Sequence, residues 1–395
     1  MTAAETPTEE RLRLYPRALL VALALAFLFS LAGSGANTAT GRLGGDLPAF
    51  YGVSRIVLEG DAPDMYDWDR QIQAQAGLFP ADEKEGFLPF VYPPFVALAY
   101  APLSLLPFRV AYVVHTLFMV GCVVLTVRLL ARDLPRIGRY GDALLAFAMA
   151  FHPTFRAAFG AQNSALSTLL FVASGTLVTG GHEFAGGAVA GLLMFKPQLA
   201  VPLWGLFVLE RRPRVLAGIA TSAGVLYLGG TALLGLAWPA IWWREGVLPF
   251  QETDQANNAA NSVGFLGLTE GMIGVGQPIA LGLGGLLSLV TIAALCVAWW
   301  RGGDADRTER VAFAAAGSLM IAPHAMFYDA ALVLPALLVG LDRDRRLLPV
   351  AIGLWLLSQA HPLKDALGVT PVAVVAAGSL AIAVYTVVRA RPVLR

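Results

Sequence analysis

The sequence predicts an all-α fold, a polytopic bundle of transmembrane helices, and three observations support this prediction. Hydrophobic residues make up 57% of the 395 residues and charged residues only 14%, whereas soluble domains carry about 25% charged residues. Apolar runs recur along the whole chain, and about 20 apolar residues suffice to cross a bilayer. Short arginine-rich stretches separate these runs. The net charge of +1 gives no indication of a nucleic-acid partner.

Ten apolar runs are predicted as membrane spans. They lie near residues 17–34, 110–130, 141–155, 163–180, 214–234, 276–300, 311–323, 327–341, 347–360 and 369–388. Two half-length runs, 184–195 and 198–209, flank Lys196-Pro197. The first span follows three arginines, as in a signal peptide, but the many later runs indicate an uncleaved anchor.

The basic residues predict the orientation, because the cytoplasmic loops of membrane proteins are rich in Lys and Arg. Of the 28 Lys and Arg residues, 19 lie in six short stretches. These stretches are residues 11–17, 128–139, 211–214, 301–310, 343–346 and 389–395. With the N-terminus in the cytoplasm, all six fall on the cytoplasmic side. The prediction is a multi-pass protein of the plasma (inner) membrane with both termini in the cytoplasm.

The same argument decides two ambiguous segments. If Val91–Pro107 were a full span, the next arginine-rich stretch would lie outside, so this segment is predicted as a shallow or re-entrant helix on the outer face. For the same reason, residues 184–209 are predicted as a membrane-embedded hairpin with Lys196 near its outer turn. Counting the two halves of the hairpin separately gives about twelve membrane segments.

No internal repeat or separate soluble domain is visible, so residues 1–395 are predicted to form a single integral membrane domain. The longest segment outside the membrane is the outer loop 35–109, with its interfacial helices. Any chemistry is therefore expected at the outer ends of the helices.

Asp46 lies in that loop, just beyond the first span. As a general base it could accept the proton of an attacking hydroxyl group. The alternatives are a solvated loop carboxylate or a helix cap.

Lys196 is the only lysine within an apolar run, and Pro197 interrupts the helix behind it. A compact positive charge at this place suits a phosphate group. The alternative is a lysine whose ammonium group reaches the membrane interface along its apolar stem.

Arg156, Gln162 and Asn163 lie in the predicted outer link between two spans. Arg156 could bind a phosphate through two parallel hydrogen bonds, and the two amides could bind sugar hydroxyls. Alternatively, Asn163 caps a helix and Arg156 is an interfacial anchor.

His324 and Asp329 lie where another span begins. A lone histidine at such a place is more often a structural hydrogen-bonding residue than a catalyst, but the density of polar groups here makes a functional role a real alternative. Asn261 lies in an outer loop that also carries Trp238, and its amide could touch an acceptor. The tryptophans of that loop are predicted to form an interfacial aromatic belt. Tyr92 opens the short proline-rich run after the acidic loop.

No P-loop, GxGxxG, HExxH or CxxC motif occurs in the sequence. An ATP-driven pump and a transferase of the soluble, nucleotide-sugar type are therefore disfavoured.

Together these segments resemble glycosyltransferase family 87, within the GT-C superfamily of polytopic transferases. The resemblance covers most of residues 40–340. It rests on the Asp46 loop, FVYPPFVALAYAPLSLLPF, Gly160-x-Gln162-Asn163, the AGGAVAGLLMFKPQLAVPL hairpin, Asn261-Ser262 and Pro323-His324.

This resemblance implies an outer-face active site that uses a polyprenyl-phosphate-linked sugar, commonly mannose. The sugar would pass with inversion to a glycolipid or glycan acceptor. Asp46 would be the general base, Lys196 and Arg156 would hold the donor phosphate, and His324 would lie near the reacting centre. The predicted substrate-binding residues are Tyr92, Gln162, Asn163, Asn261 and Asp329. No cofactor is expected; some GT-C enzymes use a divalent metal, but no tight acidic pair accompanies Asp46.

Two other functions also fit a bundle of this kind. A transporter or flippase of a polyprenyl-linked sugar would need similar cations, although such proteins often show repeated halves with paired broken helices. A non-catalytic accessory subunit is the third hypothesis.

Overall fold

Helices form every regular element of the described residues, and this confirms the all-α prediction. The computed structural model describes residues 7–32, 45–76, 78, 88–252, 259–302 and 307–390. Part of the predicted outer loop 35–109, residues 35–44, 77 and 79–87, lies outside this set. The α-helices are α1 (Pro7–Ala32), α2 (Leu47–Leu58), α3 (Trp68–Ala76), α4 (Phe95–Ser104), α5 (Phe108–Arg132), α6 (Gly141–Ala150), α7 (His152–Phe159), α8 (Ser164–Thr179), α9 (Glu183–Gly191), α10 (Pro197–Leu209), α11 (Pro213–Leu234), α12 (Trp238–Ile241), α13 (Phe265–Ile273), α14 (Pro278–Arg301), α15 (Arg307–Ile321), α16 (Leu334–Arg343), α17 (Leu348–Ser358), α18 (Lys364–Leu367) and α19 (Pro371–Ala390).

Four of these helices, α5, α11, α14 and α19, are long and apolar enough to cross a membrane. At 1.5 Å per residue, even the shortest of them reaches about 30 Å, the thickness of a bilayer's hydrocarbon core. Shorter apolar helices pack beside them, including α8 and α10. The chain is therefore a helical membrane protein.

The long helices define two ends of the bundle. At one end, Tyr112 near the start of α5 donates a hydrogen bond to the Phe159 carbonyl at 2.6 Å. At the other end, Asp133, just past α5, accepts one from Thr308 at 3.2 Å. We call the first the Asp46 end, because the Asp46 N–H donates to the neighbouring Gly160 carbonyl at 3.0 Å.

The second end, which we call the arginine-rich end, is held together by buried ion pairs. Arg310 is fully buried and donates to Glu210 at 2.8 Å, and Arg307 contacts the same carboxylate at 3.2 Å. Arg343 pairs with Glu309 at 2.5 Å. These contacts join α10, α15 and α16 at a common level.

The chain reverses direction at Lys196. Between α9 and α10 lies a 3₁₀ turn, Leu192–Phe195, and Lys196 breaks the helix with φ −128° and ψ 75°. Trp204 on α10 donates to the Ala190 carbonyl on α9 at 2.9 Å, so the two helices lie side by side. The base of this hairpin reaches the arginine-rich end, where Glu183 pairs with Arg212 at 2.9 Å.

The glycine-rich sequence of α9 allows α11 to approach closely. A Cβ atom on Gly187 would lie 2.0 Å from the Val215 carbonyl oxygen, and one on Gly218 would lie 2.1 Å from that of Phe184. Small residues at such a contact let helix backbones pack against each other within a membrane.

Residues 91–107 contain only the ten-residue helix α4. At about 15 Å it is too short to cross a bilayer. It packs against α2, where Ser54 donates to the Ala97 carbonyl at 2.8 Å.

Two sequence predictions need correction. The predicted span 141–155 ends at Ala150, because Phe151 is extended (ψ 119°) and α7 begins anew at His152. Pro153 explains the break, since proline cannot continue a preceding helix. The predicted outer link that carries Arg156 and Gln162, residues 152–162, is therefore largely helical. Trp238 is not part of an aromatic belt: it is 2% exposed and packs beneath Gly230.

We expect Glu210→Ala to destabilise the protein strongly, by about 3–5 kcal/mol, because it would leave Arg307 and Arg310 buried without their carboxylate. Thermal unfolding in detergent measures this effect. The matched control is Asp142→Ala, which breaks the exposed pair with Arg17 and should cost no more than about 1 kcal/mol. Equal effects of the two substitutions would contradict the prediction.

Candidate functional site

A cavity of about 580 Å³ lies at the Asp46 end of the bundle. Its walls come from α7, the hairpin tip and the segments around residues 46, 92, 261, 324 and 361. Eight residues predicted from the sequence line it: Asp46, Tyr92, Arg156, Gln162, Lys196, Asn261, His324 and Asp329. Asn163 lies behind the wall, buried, and accepts a hydrogen bond from the Tyr92 hydroxyl at 3.3 Å.

Asp46 is positioned by the glycine before it. Gly45 has φ +52°, and a Cβ atom at this position would lie 2.2 Å from the Gly160 carbonyl oxygen. Only glycine therefore allows the Asp46 backbone to dock on the end of α7. Asp46 directly precedes α2, but its side chain makes no capping hydrogen bond to that helix, so the structure does not support the helix-cap alternative.

The Gly160–Asn163 turn carries local backbone strain. Ala161 has φ +53°, an uncommon conformation for a residue with a side chain. It is followed by Gln162, which is 3% exposed and whose Oε1 atom has no hydrogen-bond partner among the described residues. Gln162 also lines the cavity, and a buried amide oxygen without a partner beside a cavity is a candidate for binding a ligand hydroxyl.

Arg156 lies on α7, with its guanidinium 5.1 Å from the centre of the Phe327 ring. Its Nε atom is buried without a hydrogen-bond partner, and no carboxylate of the described residues lies within ion-pair distance of Arg156. Burial lowers the pKa of the guanidinium, and the Asp46 carboxylate opposes that shift. The side chain remains a cation, because arginine does not deprotonate in proteins.

Lys196 is buried at the hairpin tip, at 4% exposure. Its ammonium group donates to Asp329 at 2.5 Å and to Ser164 at 3.2 Å. Ser164 itself donates to the same Asp329 oxygen at 2.5 Å. This burial excludes the interface-reaching alternative for Lys196. It also shows that Asp329, predicted to bind substrate, holds the lysine in place.

The His324 segment is joined to the Asn261 segment by backbone pairing. Val263 donates to the Ala325 carbonyl at 2.9 Å, and Ser262 and Met326 form an isolated antiparallel bridge. The Phe250 ring lies edge-on to the His324 ring at 5.3 Å. His324 and Asn261 therefore reach the cavity from two segments that are adjacent in the fold. The sequence alone could not show that these segments pair, because they lie far apart in the chain.

Sequence reasoning missed several cavity residues, among them Phe327 and the polar side chains of His152, His361, Lys364 and Asp365. The two histidines lie 5.1 Å apart, ring centre to ring centre, although 209 positions separate them in the chain. The sequence offered one signal for this pair, namely the presence of a histidine in each of two segments predicted to lie on the outer face. Among the described residues, no group of three or more His, Cys, Asp or Glu side chains could hold a metal ion.

Comparison with known proteins identifies the family of this chain. The model of glycosyltransferase family 87 matches residues 90–326, which is more than half of the sequence. The chain belongs to glycosyltransferase family 87. No curated protein and no solved structure matches it.

Family 87 membership establishes that the protein is a membrane glycosyltransferase, with a sugar donor and an acceptor as substrates. It also decides against the transporter and accessory-subunit hypotheses. The matched region contains Tyr92, Arg156, Lys196 and His324, whereas Asp46 precedes it.

We expect Gly45→Ala to reduce glycosyl transfer by at least tenfold while the helical bundle persists, because the new Cβ atom forces Asp46 away from Gly160. The matched control is Gly60→Ala, since Gly60 has φ +93° but nothing within 4 Å of the added atom. Transfer rates and thermal unfolding of both variants test this. An active Gly45→Ala protein would show that the Asp46 docking is not required.

We expect Asp329→Ala to destabilise the fold by about 3–5 kcal/mol, because it leaves the buried Lys196 charge without its counter-charge. The double variant Lys196→Met/Asp329→Leu should recover most of that stability without recovering transfer. Thermal unfolding and transfer rates of both variants distinguish these effects. Full activity of the double variant would limit the pair to a structural role.

Proposed function

We propose that this protein transfers a hexose, mannose in the first instance, from a polyprenyl-phosphate-sugar donor to a glycolipid or glycan acceptor. The observation that carries this proposal is one cavity that combines the Asp46 carboxylate with the Arg156 and Lys196 cations. A carboxylate can accept a proton while cations stabilise a departing phosphate. Glycosyl transfer from a phosphate-linked sugar requires both a group that accepts the hydroxyl proton and a group that stabilises the leaving phosphate.

The phosphate is assigned to the side of the cavity bounded by α7 and the hairpin tip. Arg156 brings a positive charge without a carboxylate ion-pair partner in the described part of the chain. Lys196 has three N–H donors, of which Asp329 and Ser164 occupy two. In this arrangement Arg156 carries most of the phosphate charge, and Lys196 adds one hydrogen bond.

In the proposed reaction, the acceptor hydroxyl oxygen attacks the anomeric carbon of the donor sugar. Asp46 takes the hydroxyl proton as the new carbon–oxygen bond forms. The bond between the anomeric carbon and the phosphate oxygen breaks, and its electron pair leaves with polyprenyl phosphate. One displacement inverts the configuration at that carbon.

The sugar itself is assigned to the polar groups of the cavity wall other than Asp46 and the phosphate-binding cations. Gln162 offers the buried Oε1 atom to a sugar hydroxyl, while Tyr92, Asn261 and His324 line the remaining wall. An apolar polyprenyl tail requires no polar partner and can remain among the short apolar helices at this end.

The orientation proposed for the bundle places the Asp46 end on the outer face of the plasma membrane. Support comes from the opposite end, where Arg136, Arg307, Arg310, Arg343 and Arg389 gather in ion pairs and hydrogen bonds. Positive residues mark the cytoplasmic side of membrane proteins. The acceptor would then be an outer-leaflet glycolipid or an exported glycan.

We expect purified protein to transfer radiolabelled mannose from polyprenyl-phosphate-mannose to a membrane lipid extract. Asp46→Asn should lower the rate by at least 10³-fold, because the amide cannot accept the hydroxyl proton. The matched control is Asp61→Asn, a carboxylate of the same region that pairs with Arg70 at 2.8 Å. It should retain wild-type transfer.

Two results would contradict the proposal. Transfer by a well-folded Asp46→Asn protein at the wild-type rate would remove Asp46 as the base. No transfer by wild-type protein from polyprenyl-phosphate-mannose, combined with transfer from a different donor class, would remove the assigned donor.

A further inference from the structure

Arg156 contacts a cluster of three rings, Phe327, His361 and His152, which we call the ring cluster. Its guanidinium lies over the Phe327 ring at 5.1 Å, within the range of a cation–π contact. On Phe327, the His361 ring stacks at 3.8 Å with only 22° between the planes. His152 packs beside this pair, with its ring centre 5.1 Å from that of His361 and 6.1 Å from that of Phe327 and its plane tilted to both.

The ring cluster and Arg156 are joined through one helix. His152 and Arg156 lie four residues apart on α7, on the same face. Phe327 begins the 3₁₀ segment Phe327–Val333 and His361 begins the 3₁₀ turn His361–Leu363. Three segments distant in sequence thus converge behind a single guanidinium.

The ring cluster is fixed at His361. His361 is 6% exposed, and its Nδ1 atom is hydrogen-bonded to the Thr370 hydroxyl at 2.8 Å. Phe327 is 7% exposed. Both residues line the cavity, but neither presents an open face on which a sugar could stack, and Phe327 also contacts the Arg156 guanidinium.

Both histidines are neutral at neutral pH. Burial, reinforced by neighbouring positive charge, lowers the pKa of His361 to about 3 and that of His152 to about 4. Neutral rings can back Phe327 without repelling the Arg156 cation. An imidazolium at either position would add a like charge beside it.

Stacking suits a guanidinium that must bind an anion. The contact with the ring uses the flat face of the group, and the N–H donors at its edge remain available for oxygen atoms. An arginine side chain has many rotamers, and ordering it before the ligand arrives lowers the cost of binding. No ion pair within the described residues performs this ordering for Arg156.

We propose that Phe327, backed by His361 and His152, is a positioning residue that orients Arg156 toward the phosphate of the lipid-linked donor. This inference rests on the function proposed above, because it takes that phosphate as the ligand of Arg156. It assigns to these aromatic residues a share of the donor affinity, exerted through the orientation of Arg156.

The test measures the affinity of purified protein for unglycosylated polyprenyl phosphate, which requires no acceptor. We expect Phe327→Leu to weaken binding about fivefold to tenfold, as loss of a partly buried cation–π contact should. The matched control is Phe207→Leu, which removes a buried ring that packs on Trp299 away from the cavity. It should leave the affinity within about twofold of wild type.

A double-mutant cycle tests whether Phe327 acts through Arg156. In an Arg156→Lys background the planar group is gone, so Phe327→Leu should then change the affinity less than about twofold. His361→Phe preserves a stacked ring and should bind nearly as well as wild type, whereas His361→Ala should behave like Phe327→Leu. These histidine variants carry the test if Phe327→Leu does not fold.

The outcomes separate this inference from the proposed function. If Arg156→Lys weakens phosphate binding but Phe327→Leu and His361→Ala do not, the positioning role is wrong and the phosphate assignment stands. Additive effects of Arg156→Lys and Phe327→Leu would also refute positioning. If wild-type protein does not bind polyprenyl phosphate, the proposed function itself fails.

Discussion

The buried ion pair between Lys196 and Asp329 is the constraint on which the cavity depends. An ammonium group that is only 4% exposed is stable only with a counter-charge and hydrogen bonds beside it. Asp329 supplies the charge from 133 positions away, and Ser164 supplies a second contact from the start of α8. The hairpin tip, α8 and the segment after His324 must therefore meet at one point, and the wall of the cavity follows from that meeting.

The same physical rule organises the other end of the bundle. There Glu210 neutralises two buried arginines, and Arg343 joins two acidic side chains. Between these two polar levels the helices present apolar and small residues to each other, as in the close contact of Gly187 with α11. Fixing both ends by charge and the middle by close packing leaves little freedom for the hairpin to slide.

Composition and periodicity were sufficient to predict a helical membrane bundle, because a bilayer leaves few alternatives to helices for so apolar a chain. Local rules also located the reversal at Lys196-Pro197. They failed at residues 141–155, where apolar character continues across a helix break made by Pro153. Hydropathy records whether a segment is apolar, but it does not register a change of direction within it.

The residues of the candidate site likewise fall into those that the sequence could predict and those that it could not. Asp46, Arg156 and Lys196 were accessible from the sequence because a charge in or beside an apolar run is conspicuous. The pairing of Lys196 with Asp329 was not accessible, since it joins segments far apart in the chain. His361 lay in a turn with no motif around it, and its stacking on Phe327 depends on how α7 and two 3₁₀ turns converge.

The charges around the cavity suggest how proton transfer and departure of the phosphate are coupled in the proposed reaction. Lys196 is paired with Asp329, and Lys364 with Asp365, each at 2.5 Å. Arg156 and Asp46 complete the set of Lys, Arg and Asp side chains on the wall, and the Asp46 carboxylate favours the charged form of Arg156. When Asp46 takes the acceptor proton it loses its charge, and at the same moment the leaving phosphate gains one. The field of Arg156, until then partly balanced by Asp46, becomes available to the phosphate when it is needed. A base placed far from Arg156 could accept the same proton but would not release this stabilisation.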